Sequence, residues 1–161
     1  MSTAGRVIAG IVVTPFVVLA VVIGGCEGRK AYYDRQLREM CEKDGGARIL
    51  RRVVVTPEQA ASLPRHGSLL SVSEKASAKA TDPVYFTTTV VQLRAGSPEL
   101  ARSESRYVMR GEDDPVAIVV FYSRRGGDPP TFAQPSSFSC PAGETVAQQI
   151  ASIYRIEERT R

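Results

Sequence analysis

The cysteines are the residues whose number and positions most directly suggest chemistry. The chain of 161 residues contains three of them, Cys26, Cys41 and Cys140. Cys26 ends an apolar N-terminal run, which leaves an even pair in the rest of the chain. An even pair is typical of a disulfide in an exported protein, and a Cys41–Cys140 bridge closes a loop of about 100 residues. The alternative is two buried free thiols.

Residues suited to catalysis or to metal binding are sparse. His66 is the single histidine and lies in a turn-like stretch, without a G-x-S-x-G motif elsewhere. The acidic pairs Asp113-Asp114 and Glu157-Glu158 have no motif that would place them in a cleft. The cysteines lack CxxC spacing for zinc, and the glycines lack the spacing of a phosphate loop. We predict no catalytic residue, no metal and no cofactor.

One segment has the composition of a contact surface. Arg124 and Arg125 carry guanidinium groups that can bind carboxylates or phosphates, and the glycines after them let backbone N–H groups approach an anion. Phe132 and Phe138 add apolar anchors, so these residues form a candidate binding rim. The competing interpretation, which we favour, is a structural loop whose phenylalanines close the core and whose arginines are solvated.

The charge balance disfavours nucleic acid as a partner. The formal net charge is +4, and Arg6 is the one charged residue among residues 1–25. The rest of the chain carries 20 basic residues (21 less Arg6) and 17 acidic residues, a difference of +3. A nucleic-acid-binding face needs a concentrated basic stripe, whereas these residues are dispersed.

The N-terminal segment predicts delivery to a membrane. Residues 7–25 are uncharged and apolar and follow Arg6 directly, which is the layout of an export signal. A helix of this length, at about 1.5 Å per residue, also just crosses a hydrocarbon layer of about 30 Å. We expect residues 7–26 to contact membrane lipid.

The end of the apolar run bears on whether the segment is cleaved. Ile23-Gly24-Gly25-Cys26 resembles the lipobox of bacterial lipoproteins. That resemblance implies lipidation of Cys26 after cleavage. An uncleaved single-pass anchor and another cleaved signal are the alternatives. We predict an address segment at residues 1–26 and one exported domain at residues 27–161.

Two features give opposite indications of which side of the membrane the domain occupies. Arg29, Lys30, Arg35 and Arg38 follow the apolar run and favour the cytoplasmic side. The cysteine pair favours an oxidising compartment. We give the cysteines more weight and predict a domain in the periplasm of a bacterial cell envelope.

Hydrophobic periodicity and turn residues divide the domain into elements. We predict helices at residues 29–44, 57–64 and from about residue 142. We predict strands at residues 47–55, 84–94, 99–110 and 115–124, and loops at residues 73–82 and 125–141. The last three strands have connections of hairpin length, which predicts an antiparallel meander.

This order of elements predicts an α+β fold. We expect an antiparallel β-sheet of about four strands, with the N- and C-terminal helices on one face and the apolar membrane segment before them. The proposed disulfide then ties those two helices together.

Three short segments resemble small proteobacterial membrane-anchored or lipoprotein-like proteins of unknown function. They are CEKDGGARI (41–49), YSRRGGDPP (122–130) and PSSFSCP (135–141). The resemblance implies export and the cysteine pair, and it transfers no catalytic residue. We therefore expect a non-enzymatic envelope accessory or binding module with a protein partner. Its rivals are an immunity or inhibitor lipoprotein that acts on a toxin or hydrolase, a structural subunit of a membrane complex, and an enzyme.

Overall fold

The computed structural model describes residues 3–129 and 134–157, with side chains from residue 21 onward. Its helices are α1 (Thr3–Asp44), α2 (Pro57–Ser62) and α3 (Gly143–Ala151). Its strands are β1 (Gly46–Ile49), β2 (Val53–Val55), β3 (Arg65–His66), β4 (Leu69–Leu70), β5 (Ser73–Glu74), β6 (Val84–Arg94), β7 (Glu99–Met109), β8 (Pro115–Arg125), β9 (Ser137–Cys140) and β10 (Tyr154–Ile156). The predicted α+β class is confirmed.

The main sheet is six-stranded and mixed, in the order β1-β8-β7-β6-β5, with β9 also paired to β8. The antiparallel meander β6-β7-β8 is confirmed, and its connections contain Gly96 and Gly111 at positive φ. The prediction of about four antiparallel strands was wrong, because β5 joins β6 in parallel and β9 extends one edge. Both of these short strands lie in segments predicted as loops.

The predicted strand at residues 47–55 is two strands in different sheets. It breaks where the N–H groups of Leu50 and Arg51 both donate to the carbonyl of Val116, at 2.8 and 3.0 Å. Beyond this break, β2 pairs in parallel with β10. The helix predicted from about residue 142 ends at Ala151, and Tyr154 begins β10.

The starts of α2 and α3 are as the local sequence predicts. Thr56 caps α2 by accepting from the N–H of Gln59, and the Gln59 side chain accepts from the Thr56 N–H in return. Pro57 occupies the first helical position, where its missing N–H costs nothing. Ala142 is the N-cap residue of α3.

Helices α1 and α3 lie on opposite faces of the sheet, so the prediction that they share one face was wrong. Alternate residues of β8 belong to different hydrophobic clusters, as side chains of a strand point to opposite sides. Val119 clusters with Ile150 of α3. Its neighbour Val120 clusters with Leu37 of α1. The sheet is therefore covered on both faces around β8.

Helix α1 extends far beyond the predicted 29–44. Its 42 residues span about 63 Å at 1.5 Å per residue. It ends at Asp44 before Gly45, where a Cβ atom would lie 2.6 Å from both the carbonyl oxygen and the sulfur of Cys41. Among the residues whose side chains the structure describes, from residue 21 onward, no helix has both the length and the hydropathy needed to span a membrane.

Candidate interaction surface

One stripe of α1 holds the helix against the sheet. Five residues, each three or four positions from the next, form this docking stripe: Lys30, Asp34, Leu37, Cys41 and Asp44. Residues at this spacing lie on one side of a helix. Each makes a contact with the domain, and the contacts are of different chemical kinds.

The most buried ion pair of the docking stripe joins Asp34 and Arg124. The Arg124 side chain is only 4% exposed, and its Nε lies 2.5 Å from Asp34 Oδ1. The same guanidinium donates to the Gly126 carbonyl and, at 3.2 Å, to the Ser136 hydroxyl. Arg124 was a candidate for the binding rim, with a solvated arginine as the favoured interpretation; here its side chain is buried and its donors bind the chain's own acceptors.

A second ion pair fastens the loop after β8 to α1. Lys30 Nζ lies 2.9 Å from Asp128 and 2.5 Å from Glu27. Asp128 also accepts from the Ser136 N–H at 2.6 Å. The Lys30 ammonium and the Ser136 donors hold the pKa of Asp128 far below its usual range, while hydrogen bonds to Glu27 and Asp128 raise the pKa of Lys30. The loop is therefore held against α1 with Asp128 ionised and Lys30 protonated.

The last residue of α1 belongs to a polar cluster at the edge of a cavity of 160 Å³. The Tyr122 hydroxyl donates to Asp44 at 2.7 Å, and Arg102 lies 3.1 Å from the same carboxylate. The hydrogen bond from Tyr122 lowers the pKa of Asp44; burial, then that hydrogen bond, raises the pKa of Tyr122. Arg102 also pairs with Glu104 at 2.9 Å. These charges bind each other, so the cluster serves to position the helix end.

The predicted disulfide between Cys41 and Cys140 is confirmed, with a Cα–Cα distance of 6.1 Å. Cys140 is the last residue of β9, so the bridge joins α1 to the sheet rather than to α3. The prediction that it ties the two helices together was wrong, because α3 begins three residues later on the other face. The bridge covalently fixes the docking stripe.

The described residues among the other rim candidates, Arg125 and Phe138, do not form one surface. Arg125 is exposed at the end of β8. Phe138 packs against the cluster beneath α1, and Arg38 lies 4.9 Å from its ring centroid. Phe132 lies outside the described residues. Phe138 therefore follows the structural interpretation of the loop, and Arg125 alone of these residues is seen to face solvent.

Cys26, the predicted lipidation site, is a free, partly exposed thiol on α1. Neighbouring Gly24, Gly25 and Gly28 have open space around them. Among the described residues, no group of three or more histidine, cysteine or acidic side chains is arranged to hold a metal ion.

A surface that sequence reasoning left unspecified is the outer edge of β6. We call residues 87–93 of this strand the free edge, because among the described residues β5 pairs with β6 only opposite Tyr85 and Phe86. Every residue from 87 to 93 is exposed. The sequence TTTVVQL contains no charge and no proline, the devices that usually protect a sheet edge. The β-branched, uncharged composition of residues 87–93 was the sequence feature that could have indicated this edge.

A groove adjoins the end of the free edge. It has a volume of 350 Å³ and lies between α1 and the β6–β7 hairpin. Its lining includes Tyr33, Met40, Leu93 and Leu100. Arg94 closes one side with its guanidinium 5.1 Å from the Tyr33 ring centroid. Leu93 belongs to both features, so the edge and the groove are continuous.

Comparisons with protein-family models, with curated proteins and with solved structures find no match to this chain. The resemblance to small proteobacterial envelope proteins therefore stays a prediction.

Proposed function

We propose that this chain is a non-enzymatic binding module tethered to a bacterial envelope membrane, with its domain in the periplasm. Residues 7–25 provide the membrane contact, either as an anchor or as the signal that precedes a lipidated Cys26. The domain presents an exposed sheet edge to a protein partner.

The observation that carries this proposal is the unbroken course of α1. The helix runs from Thr3 through the apolar run and ends beneath the sheet at Asp44. Over its last third, two ion pairs, an apolar contact, a disulfide and a polar cluster fix it to the domain. A helix fixed this way determines where the sheet lies relative to the apolar run.

The disulfide supports the choice of compartment. Disulfides persist in the bacterial periplasm and are rare in the cytosol, where thiols are kept reduced. The Cys41–Cys140 bridge joins two separate elements over a sequence separation of 99 residues. A periplasmic domain keeps this constraint throughout its lifetime.

Membrane retention tests the tether. We expect the full chain, produced in a Gram-negative host, to stay with membranes after an alkaline carbonate wash. The double variant Val17→Lys/Val18→Lys places two ammonium groups in the apolar run, each costing about 3 kcal/mol at a bilayer centre, and should lose that retention. The control Ala76→Lys adds a lysine at an exposed site and should behave as the wild type. Retention of all three chains would overturn the tether.

A further inference from the structure

The backbone of the free edge is directed outward at alternate residues. The Lys75 N–H donates to the Phe86 carbonyl at 2.8 Å, so Phe86 points its carbonyl away from β7. The Arg110 N–H donates to the Pro83 carbonyl, so Pro83 points its carbonyl toward the β7 side. Because backbone groups alternate along a strand, Thr88, Val90 and Gln92 share the orientation of Phe86.

Side-chain contacts support this assignment of outward and inward backbone groups along β6. Residues that face each other without backbone hydrogen bonds bring their side chains closest together. Thr88 and Ser105 are opposite in the register, and their hydroxyls lie 2.8 Å apart. Phe86 and Tyr107 are also opposite, with ring centroids 5.2 Å apart. The N–H and C=O groups of Thr88, Val90 and Gln92 therefore face solvent at the edge.

From this arrangement we infer that the free edge binds an extended segment of another protein as an added β-strand. Main-chain hydrogen bonds give such complexes their affinity. The exposed side chains of Val90 and Val91, 62% and 50% exposed, favour β-branched, uncharged residues opposite them. This inference deepens the proposed function by naming the class of partner.

The charges beside the edge specify one end of that segment. Arg106 is exposed and lies opposite Thr87, on the face of the sheet that carries α1. Lys75 and Arg110 flank the neighbouring Tyr85 ring, at 5.5 and 5.8 Å from its centroid. A partner strand therefore fits best with an acidic residue at the end nearest Arg106.

The proposed tether disfavours a second copy of this chain as the occupant. Two identical edges pair in antiparallel fashion about a two-fold axis normal to the sheet. Lys30 and Asp44 both contact the domain, so this part of α1 lies along the sheet face. The two-fold axis reverses the direction of α1 in the second copy. In such a pair the two α1 helices run in opposite directions, so both cannot lead into the same membrane.

Titration with a peptide tests the added strand. The probe is a fluorescent, end-blocked octapeptide with an alternating Thr-Val core and one terminal Glu, added to the full chain in detergent micelles. We expect saturable binding with a Kd of about 1 mM or lower, equivalent to about −4 kcal/mol. The same peptide N-methylated at every residue should bind at least about tenfold more weakly, since it lacks backbone donors on both of its edges.

A matched pair of variants locates the site. Val90→Pro removes an outward N–H that the sheet does not use and should weaken peptide binding at least about tenfold. Val90→Thr keeps that N–H and should bind as the wild type does. Absence of peptide binding by the wild type, or equal affinity for the N-methylated peptide, would overturn the inference. A concentration-dependent dimer abolished by Val90→Pro would instead assign the edge to a second copy. Membrane retention is measured separately, so the tether and the edge can fail independently.

Discussion

Asp34 and Arg124 are ninety residues apart in the chain, yet their carboxylate and guanidinium meet at 2.5 Å in a largely buried contact between α1 and β8. This pair fixes α1, which continues from the apolar segment, to β8. The disulfide at Cys41 joins the same helix to the domain about two helical turns further along.

We expect Arg124→Ala to lower the free energy of unfolding by about 3 kcal/mol, because it leaves Asp34 partly buried without its partner. Arg125→Ala is the matched control, since its side chain is exposed and such substitutions change stability by less than about 0.5 kcal/mol. Urea denaturation of both variants measures the difference. Equal effects of the two substitutions would contradict the assignment of Arg124 to a structural ion pair.

Reduction of the Cys41–Cys140 bridge should lower the melting temperature by several degrees. A loop of about 100 residues contributes up to about 4.7 kcal/mol in the chain-entropy model. Cys41→Ala/Cys140→Ala should melt at the temperature of the chemically reduced wild type whether or not reductant is present. Cys26→Ser should show the same fall in melting temperature on reduction as the wild type. Labelling of Cys41 by a thiol reagent in the unreduced chain would be incompatible with the bridge.

The polar cluster at the end of α1 predicts an acid-dependent loss of stability. The pKa of Asp44 is lowered in the folded state, so its ionised form stabilises the fold above the unfolded value of about 3.9. That contribution is lost as pH falls through the lower, folded pKa. Because the Tyr122 hydroxyl is the main cause, Tyr122→Phe should flatten the decline in stability below about pH 4.

Tyr107→Phe is the matched control for this titration. Burial alone raises the pKa of Tyr107 to about 12, so its hydroxyl should not affect the acid range. Stability against urea, measured from neutral pH to below pH 4, distinguishes the two variants. An unchanged acid slope in Tyr122→Phe would show that this hydrogen bond does not stabilise the ionised carboxylate.

Processing at Cys26 is read from the intact mass of the membrane-extracted chain, which is 17.5 kDa if the whole sequence is retained. The lipobox resemblance predicts that Cys26→Ser leaves residues 1–25 attached and raises the mass relative to the processed wild type. Unprocessed wild-type and mutant chains, differing only by the substitution, would exclude a lipoprotein and leave the uncleaved anchor.

Much of the local structure was predictable from sequence. The strands β6, β7 and β8 follow from β-branched residues and hairpin-length connections, and the start of α2 follows from Thr56 and Pro57. The disulfide followed from counting cysteines. These features depend on residues close in sequence or on a simple even pair.

The remaining features depend on contacts that no local pattern encodes. The placement of α1 and α3 on opposite faces follows from which residues of β8 each helix covers. The burial of Arg124 requires Asp34, and nothing in the segment around Arg124 distinguishes a buried arginine from a solvated one. The free edge likewise exists because β5 is too short to cover β6.

Labelling of Ala76→Cys in spheroplasts tests the central claim, a periplasmic domain tethered to the membrane, most directly. Residue 76 is exposed between β5 and β6, so a membrane-impermeant maleimide reaches it only from the side on which the domain lies. We predict complete labelling at residue 76 before lysis, in membrane-bound chain, with Cys41 and Cys140 unlabelled. Labelling of residue 76 only after lysis would place the domain in the cytoplasm and contradict the proposal.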